Sequence, residues 1–306
     1  MLKRCLAVAV MAFPAAAIAE MPIVNTDLLA KDETLVSIAA SISESEFTDT
    51  ATFGSFSFTG VTDTETRLIS FALGRGITDR LSVSLRGDYQ EYESNRTSVT
   101  SYQTQVTTVK LSGVNDPVIA MDYKLLSANY PLVIGIMVSP PTSSDSPGRA
   151  GYSLNGVHMM DAQDGDTGTG KTRVVTRLDG SMVAGSNVLE WGIAAAMDDE
   201  DDSENIYELR LGCLHRFSGQ TSARLSGFLY QQNGNVQNNV SVSDTLNAGL
   251  AIGLFHQPRP DLRLSASYVH TFLDDVTFKI GNGYARYDVT NSSAQTLSLG
   301  VSYLIK

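Results

Sequence analysis

The chain has 306 residues, 42 % of them hydrophobic, 18 % charged and 8 % aromatic, with a formal charge of -11. That acidity excludes an electrostatic nucleic-acid binder, which needs Lys and Arg to neutralise phosphates. The length would hold two medium domains or one large one, and no linker, low-complexity tract or composition shift divides it, so one domain is expected.

Met1 to Ala19 begins with Lys3 and Arg4, continues as an apolar run from Leu6 to Ala17 and ends Ala17-Ile18-Ala19 before Glu20. This is the form of a cleavable secretory signal, 1–19. Its apolar stretch is shorter than the roughly 20 residues a spanning helix needs. Residues 20–306 are then the mature chain, two units more acidic without Lys3 and Arg4, and 20–32 stand before the first strand as a periplasmic N-terminal segment. Cys5 leaves with the leader and Cys213 remains alone, so no intrachain disulfide is expected.

From Leu35 to Ile305 short segments alternate apolar and polar side chains with a period of two. Leu81, Val83, Leu85 and Tyr89 fall on one parity, and Arg86 and Asp88 on the other. A strand throws successive side chains to opposite faces, so each segment has one apolar and one charged surface. In chain order the predicted strands are 33–45, 64–75, 80–90, 105–125, 131–139, 171–184, 187–197, 205–217, 221–231, 244–256, 261–272 and 293–305. Short turns at 76–79, 127–131, 184–187, 218–221 and 257–261 alternate with longer polar stretches at 46–63, 90–104, 140–170, 198–204, 232–243 and 273–292. A soluble sheet and a membrane barrel both use two-faced strands. The leader and the alternation of short and long connections favour the barrel, with short turns in the periplasm and long loops outside.

The expectation is an all-β fold: a closed up-and-down antiparallel transmembrane β-barrel of about twelve strands in the outer membrane of a Gram-negative bacterium. In strand 64–75, Arg67 and Arg75 share the apolar parity and are expected near the rims. Aromatics near strand ends suit interfacial girdles, with Tyr89, Tyr92, Tyr230 and Phe272 at the outer rim and Tyr123, Phe217 and Tyr303 at the inner one.

Gly74-Arg75-Gly76-Ile77-Thr78-Asp79-Arg80-Leu81-Ser82-Val83, then Ser112 to Pro117 leading into Asp122-Tyr123-Lys124-Leu125, then Val138 to Thr142 and Gly168-Thr169-Gly170, resembles the outer-membrane "MetA-pathway of phenol degradation" transporter-like family. The resemblance covers about 64 to 306 and rests on turns and strands. It implies a barrel loosely linked to aromatic-compound breakdown and identifies no substrate. Members usually end on an aromatic residue, whereas this chain ends Tyr303-Leu304-Ile305-Lys306.

Four features invite a chemical reading. Gly165 to Thr172 matches a phosphate-binding loop letter for letter, but that loop works between a buried strand and a helix N-terminus, and an amphipathic strand follows here. The acidic run Asp198 to Glu204 lacks calcium-loop spacing and reads as a solvated loop. The histidines His158, His215, His256 and His270 have no serine two residues away on the same face, so no enzyme is expected; a rim lipid hydrolase with His158 as base ranks behind the other readings. The fourth feature is the interior. Arg86, Asp88, Asp122, Lys124, Arg173, Arg177, Asp179, Glu190, Glu208, Arg210 and Arg263 fall on the polar parity and are expected to line the lumen. They pair into a polar core or form a charge filter; polarity alone leaves both open. Phe228, Tyr230 and Phe255 share that inward parity and hint at an aromatic or apolar solute.

The functional expectation is passive uptake of small molecules, with aromatic or hydrophobic compounds as one class. The alternative is a non-conducting structural or adhesive barrel. No cofactor or metal is expected. Expected partners are membrane lipid and lipopolysaccharide, a small-molecule solute and the outer-membrane assembly machinery, with no nucleic acid, and a monomer is expected.

Overall fold

A computed structural model of the protein describes residues 28–99, 103–126, 130–142, 151–160, 172–198, 205–234, 236–237, 240–280 and 285–306. The leader 1–19, the Gly/Thr-rich stretch 165–171 and most of the acidic run, 199–204, lie outside the described residues.

The described residues form one antiparallel sheet. Its strands are β1 (Thr34–Phe53), β2 (Phe56–Thr78), β3 (Leu81–Val99), β4 (Thr104–Val114), β5 (Val118–Leu126), β6 (Leu132–Ser139), β7 (Gly151–Leu154), β8 (Val157–Met160), β9 (Arg173–Ala184), β10 (Asn187–Asp198), β11 (Ile206–Arg216), β12 (Thr221–Gln232), β13 (Val236–Gln237), β14 (Val240–Val242), β15 (Thr245–Arg259), β16 (Leu262–Phe272), β17 (Val276–Ile280) and β18 (Ala285–Ile305). The sheet closes because β1 pairs with β2 on one side and with β18 on the other, Thr34 meeting Ile305 at one end and Phe53 meeting Ala285 at the other. Taking β4 and β5 as one interrupted strand, twelve strands make the wall, each joined to its chain neighbour around the ring. Each corresponds to one of the twelve sequence-predicted strands.

Short connections sit at the rim that holds Thr34 and Ile305. Thr78 Oγ1 accepts the amides of Arg80 and Leu81 in the β2–β3 turn, and Gly185, at φ 64°, supplies the left-handed residue of the two-residue β9–β10 hairpin. The opposite rim carries extra structure. β7 and β8 form a hairpin within 140–170 around Asn155-Gly156, both at positive φ, as a type I′ turn requires.

Two expectations need correction. Segment 105–125 is two strands, because Pro117 has no amide to donate and the chain breaks at Asn115-Asp116-Pro117. Asp116, buried there, accepts the Thr142 amide at 2.7 Å, and β4 goes on to pair with β7 while β5 pairs with β6. The stretches 46–63, 90–104 and 273–292 are also mostly strand rather than loop: β1, β2, β3 and β18 run well past the wall, and β17 joins them.

The reason is a reversal of faces at one height. In the wall, exterior side chains are apolar, such as Ile38 on β1, Ile69, Phe71 and Leu73 on β2, Leu85 on β3 and Leu297 and Leu299 on β18, all exposed. Further along, the same exterior parity carries Glu44 and Glu46, then Asp63 and Glu65, then Glu91 and Glu93. There the inner parity buries Phe47 on β1, Tyr92 on β3 and Val289 on β18 among Asp49, Thr62, Thr64 and Ser94. On β18 a bulge between Ser293 and Thr290 accompanies the change. A chain leaving hydrocarbon for water must turn its charges outward, so this line marks the outer edge of the apolar belt. Arg67 sits at that line, 2.6 Å from Glu65, and Arg75 lies at the other rim, 3.5 Å from Asp32.

Candidate functional site

The wall strands β5 to β12 direct their charged side chains to the barrel interior. Asp122 on β5 lies 2.8 Å from Arg177 Nη2 on β9. Arg177 Nε is 3.6 Å from Asp179, and Asp179 accepts a 3.2 Å bond from Arg210 on β11. Arg210 in turn is 3.5 Å from Glu208. These five form one continuous acid–base ladder, every member at least nine-tenths buried. A second pair joins Glu190 on β10 to Arg224 on β12 at 2.8 Å.

Each cross-strand link passes over a glycine. Gly135 on β6 lies in register between Asp122 and Arg177, Gly192 on β10 between Asp179 and Arg210, and Gly212 on β11 between Glu190 and Ser226. A Cβ on Gly135 would fall inside the Asp122 carboxylate and 2.6 Å from Arg177 Nε; one on Gly192 would overlap Asp179 and stand 3.3 Å from Arg210 Nε. Removing the Cβ lets the long charged side chains lie flat along the wall instead of arching toward the axis.

The remaining expected lining residues stand apart from the ladder. Arg86 Nε reaches Asp88 at 2.8 Å and its Nη2 donates to Ser70 at 3.2 Å. Lys124 and Arg173 are half-buried on the interior parity at opposite ends of their strands. Arg263 is exposed at the short-turn rim, its guanidinium 4.4 Å from the Phe255 ring centre, with Arg224 on the same ring at 5.2 Å. Arg224 and the three glycines were missing from the expected lining. Arg224 shares the inward parity of Phe228 and Tyr230, which is the signal for it; the glycines share the inward parity of their strands, but their place between opposite charges follows only from the register.

The interior has two unlike halves. Toward the outer end of the charged half, Tyr230 is buried and stacks on Phe228 with ring centres 6.3 Å apart, packed with Met137, Val175 and Ile206. The Phe228 ring lies where a Cβ on Gly249 would be. Tyr230 and Tyr92 therefore face inward and do not belong to the outer girdle, whereas Tyr89 and Phe272, with Tyr123, Phe217 and Tyr303 at the other rim, are exposed on the exterior. The opposite half, on β1, β16 and β18, carries small side chains such as Ser37, Ala39, Ser267 and Gly300; Ser37 donates to Ser302 at 2.9 Å and Thr296 to Ser43 at 2.9 Å.

Of the N-terminal segment, residues 28–32 are described. The Asp32 amide donates to the Gly76 carbonyl and the Gly76 amide to Glu33, both at 2.9 Å. Leu29 comes within 3.2 Å of where a Gly74 Cβ would stand, on the inner side of β2. These residues lie along the inner side of β2 at the short-turn rim.

His215, His256 and His270 are on the exterior parity, where His256 Nδ1 is 3.0 Å from Thr221 Oγ1 and His215 Nδ1 2.8 Å from Asn187 Oδ1. The side chain of His158 lies outside the described residues. Cys213 is a free thiol on the same exterior parity, and no group of metal-ligating side chains occurs among the described residues.

A closed sheet, an apolar exterior band and buried interior charges leave one solvent for its outside: lipid. The chain is a β-barrel of the bacterial outer membrane. No family model matches it and no curated protein matches its sequence. Among solved structures it is similar to the COG4313 outer membrane channel from Pseudomonas putida F1, at 13 % identity and a TM-score of 0.53, over 92 % of this chain and 98 % of that one. It also aligns with a Pseudomonas aeruginosa FadL homologue, at 12 % identity and a TM-score of 0.45 over 89 % and 90 % of the two chains. The translocator domain of the autotransporter NalP from Neisseria meningitidis aligns at 8 % identity and 0.46 over 98 % and 97 %.

Proposed function

We propose that the barrel is a passive channel for small solutes, with aromatic compounds as one class it admits. The reading rests on the unlike halves of the interior. Charges on β5 to β12 neutralise one another in a ladder pressed against the wall by Gly135 and Gly192, and small hydroxyl-bearing side chains stand opposite. Long charged side chains held against the wall on β5 to β12, with small residues on β1, β16 and β18, favour a path along that side over a filled core. The fold likeness to an outer membrane channel and the sequence resemblance to a transporter-like family accord with this. No cofactor or energy source enters.

The test is reconstitution of the purified, heat-modifiable protein into planar bilayers and liposomes. Discrete conductance steps and swelling in small sugars are expected. Absence of both from folded protein would replace the channel with a structural barrel whose ladder serves only as a polar core.

A further inference from the structure

The inward-facing charges are sorted by how far they reach into the lumen. Among the described side chains, the inward carboxylates of the wall are Asp88, Asp122, Asp179, Glu190 and Glu208, and all but Asp88 are buried. The inward bases divide the other way. Arg177 and Arg210, in the ladder, are buried, whereas Arg86, Lys124 and Arg224 are half-buried and Arg263 is exposed. Arg173 is half-buried too, but its register partner is Asp198, so the outer end of β9 adds no net charge. The ion pairs outside the ladder repeat the sorting. Side-chain exposure is 26 % for Arg86 against 12 % for Asp88, and 12 % for Arg224 against 4 % for Glu190. On the inner face above the belt it is 22 % for Arg96 against 0 % for Asp49. The cause is reach: an arginine carries its charge further from its strand than an aspartate does, so the guanidinium stands nearer the axis.

We propose that the lumen presents a positive surface and so favours small anions, carboxylates among them, over cations of the same size. Three observations select that occupant. A solute meets guanidinium and ammonium groups first, because the carboxylates of the ladder and Glu190 lie beneath other side chains. The basic edges run the whole height: Arg96 and Arg86 share the inner parity of β3, and Lys124, Arg224 and Arg263 stand at the short-turn end. The bases, Arg173 aside, outnumber the inward carboxylates of the wall by one, which outweighs the surplus acid of the ladder. Charge of one sign between low-dielectric walls focuses its field along the path, Arg and Lys rings make anion pores, and the guanidinium fork matches a carboxylate.

The sign of the lumen surface is independent of the channel reading, and only selective passage rests on it, so the two are measured apart. In protein purified from the outer membrane and carrying Cys213→Ser, Ser84→Cys places a thiol on the inner face of β3, one inward position from Arg86. Its modification in nanodiscs is timed with sulfonatoethyl methanethiosulfonate, an anion, and with the trimethylammonioethyl cation, each relative to a free thiol. The anion is expected to be favoured by about fivefold or more at low salt. Arg86→Gln should cut that ratio by about half or more, whereas Lys110→Gln, which removes the same charge from the exterior, should leave it unchanged. In planar bilayers under a KCl gradient, the reversal potential should favour chloride by about threefold near 0.1 M and less near 1 M, where screening shortens from about 10 to 3 Å. Potassium acetate should give the same sign. Lys124→Gln should reduce the preference as Arg86→Gln does, and tests it should the latter fail to fold. A thiol that favours the cation or treats both reagents alike overturns the positive lumen, as does a thiol inert to both, since that side of the interior would be closed to water. An anion-favouring thiol with no conductance in any variant overturns the channel and leaves the positive lumen standing; conductance that favours potassium overturns the preference and leaves the channel.

Discussion

Substituting Gly135→Ala tests whether the ladder depends on the missing Cβ. An added methyl would overlap Asp122 and sit 2.6 Å from Arg177 Nε and 2.9 Å from Arg177 Cγ, all below the 3.0 Å that real Cβ atoms respect. The backbone on both sides is held by the β5–β6 and β6–β9 ladders, so the side chains must yield. Separating a buried carboxylate from its guanidinium costs about 3–5 kcal/mol, because both charges lose their partner in a poorly solvated place. Replacing Gly by Ala within a strand returns roughly 0.5–1 kcal/mol of chain entropy. The net loss is then about 2–4.5 kcal/mol. Urea unfolding of the protein refolded into vesicles, followed by the fluorescence of the single Trp191, measures it. Gly87→Ala is the control, since a Cβ there meets nothing within 4 Å; it should show the chain-entropy gain alone, a stabilisation of about 0.5–1 kcal/mol. The displaced Arg177 should also reduce single-channel conductance, which Gly87→Ala should leave alone. Equal stabilities for the two variants would show that the ladder adjusts freely and that the glycine does not seat it.

The other predictions concern the two ends of the face reversal. Burial, and then the nearby Asp49 carboxylate, push the Tyr287 phenol above its ordinary 10.0, so the folded outer sheet holds that proton more tightly than the unfolded chain. Its stabilisation is complete below about pH 10 and is lost as pH rises beyond that; Tyr287→Phe should abolish the alkaline loss of amide protection around 47–49, and an unchanged profile would exclude Tyr287 as its source. Trp191 lies on the exterior of β10 with its ring over Gly180. Brominated acyl chains should quench it and aqueous iodide should not, the reverse result placing this side of the wall in water.

The wall was legible because hydrocarbon imposes a simple rule on exterior positions. A basic side chain at mid-bilayer would cost about 2–4 kcal/mol and an acidic one less, so Arg177, Asp179, Glu208 and Arg210 fall on the inner parity, and the wall strands follow that rule except β2, where Arg67 and Arg75 stand at the two edges of the belt. Pairing was not legible: Asp122 meets Arg177 across an intervening strand, and no spacing along the chain encodes a neighbour 55 residues away. The pairs follow from register, and register follows from hairpin lengths that vary by a residue at bulges such as Gly76/Thr78.

The missed outer sheet has the same origin in reverse. Above the belt the exterior solvent is water, and a strand there keeps its period of two while exchanging which parity is apolar. Read along β2, Leu73, Phe71 and Ile69 give way to Glu65 and Asp63 on the same parity, and the stripe fades before Phe58 and Phe56 resume it on the other. A pattern that assumes one fixed apolar face takes the crossing for a loop. What distinguishes the two is that a loop loses alternation altogether, whereas here it shifts by one position, and four neighbouring strands shift at the same height. Coincidence on neighbours is the part that needs the register, and once the register is known the crossing points draw the membrane's outer boundary residue by residue.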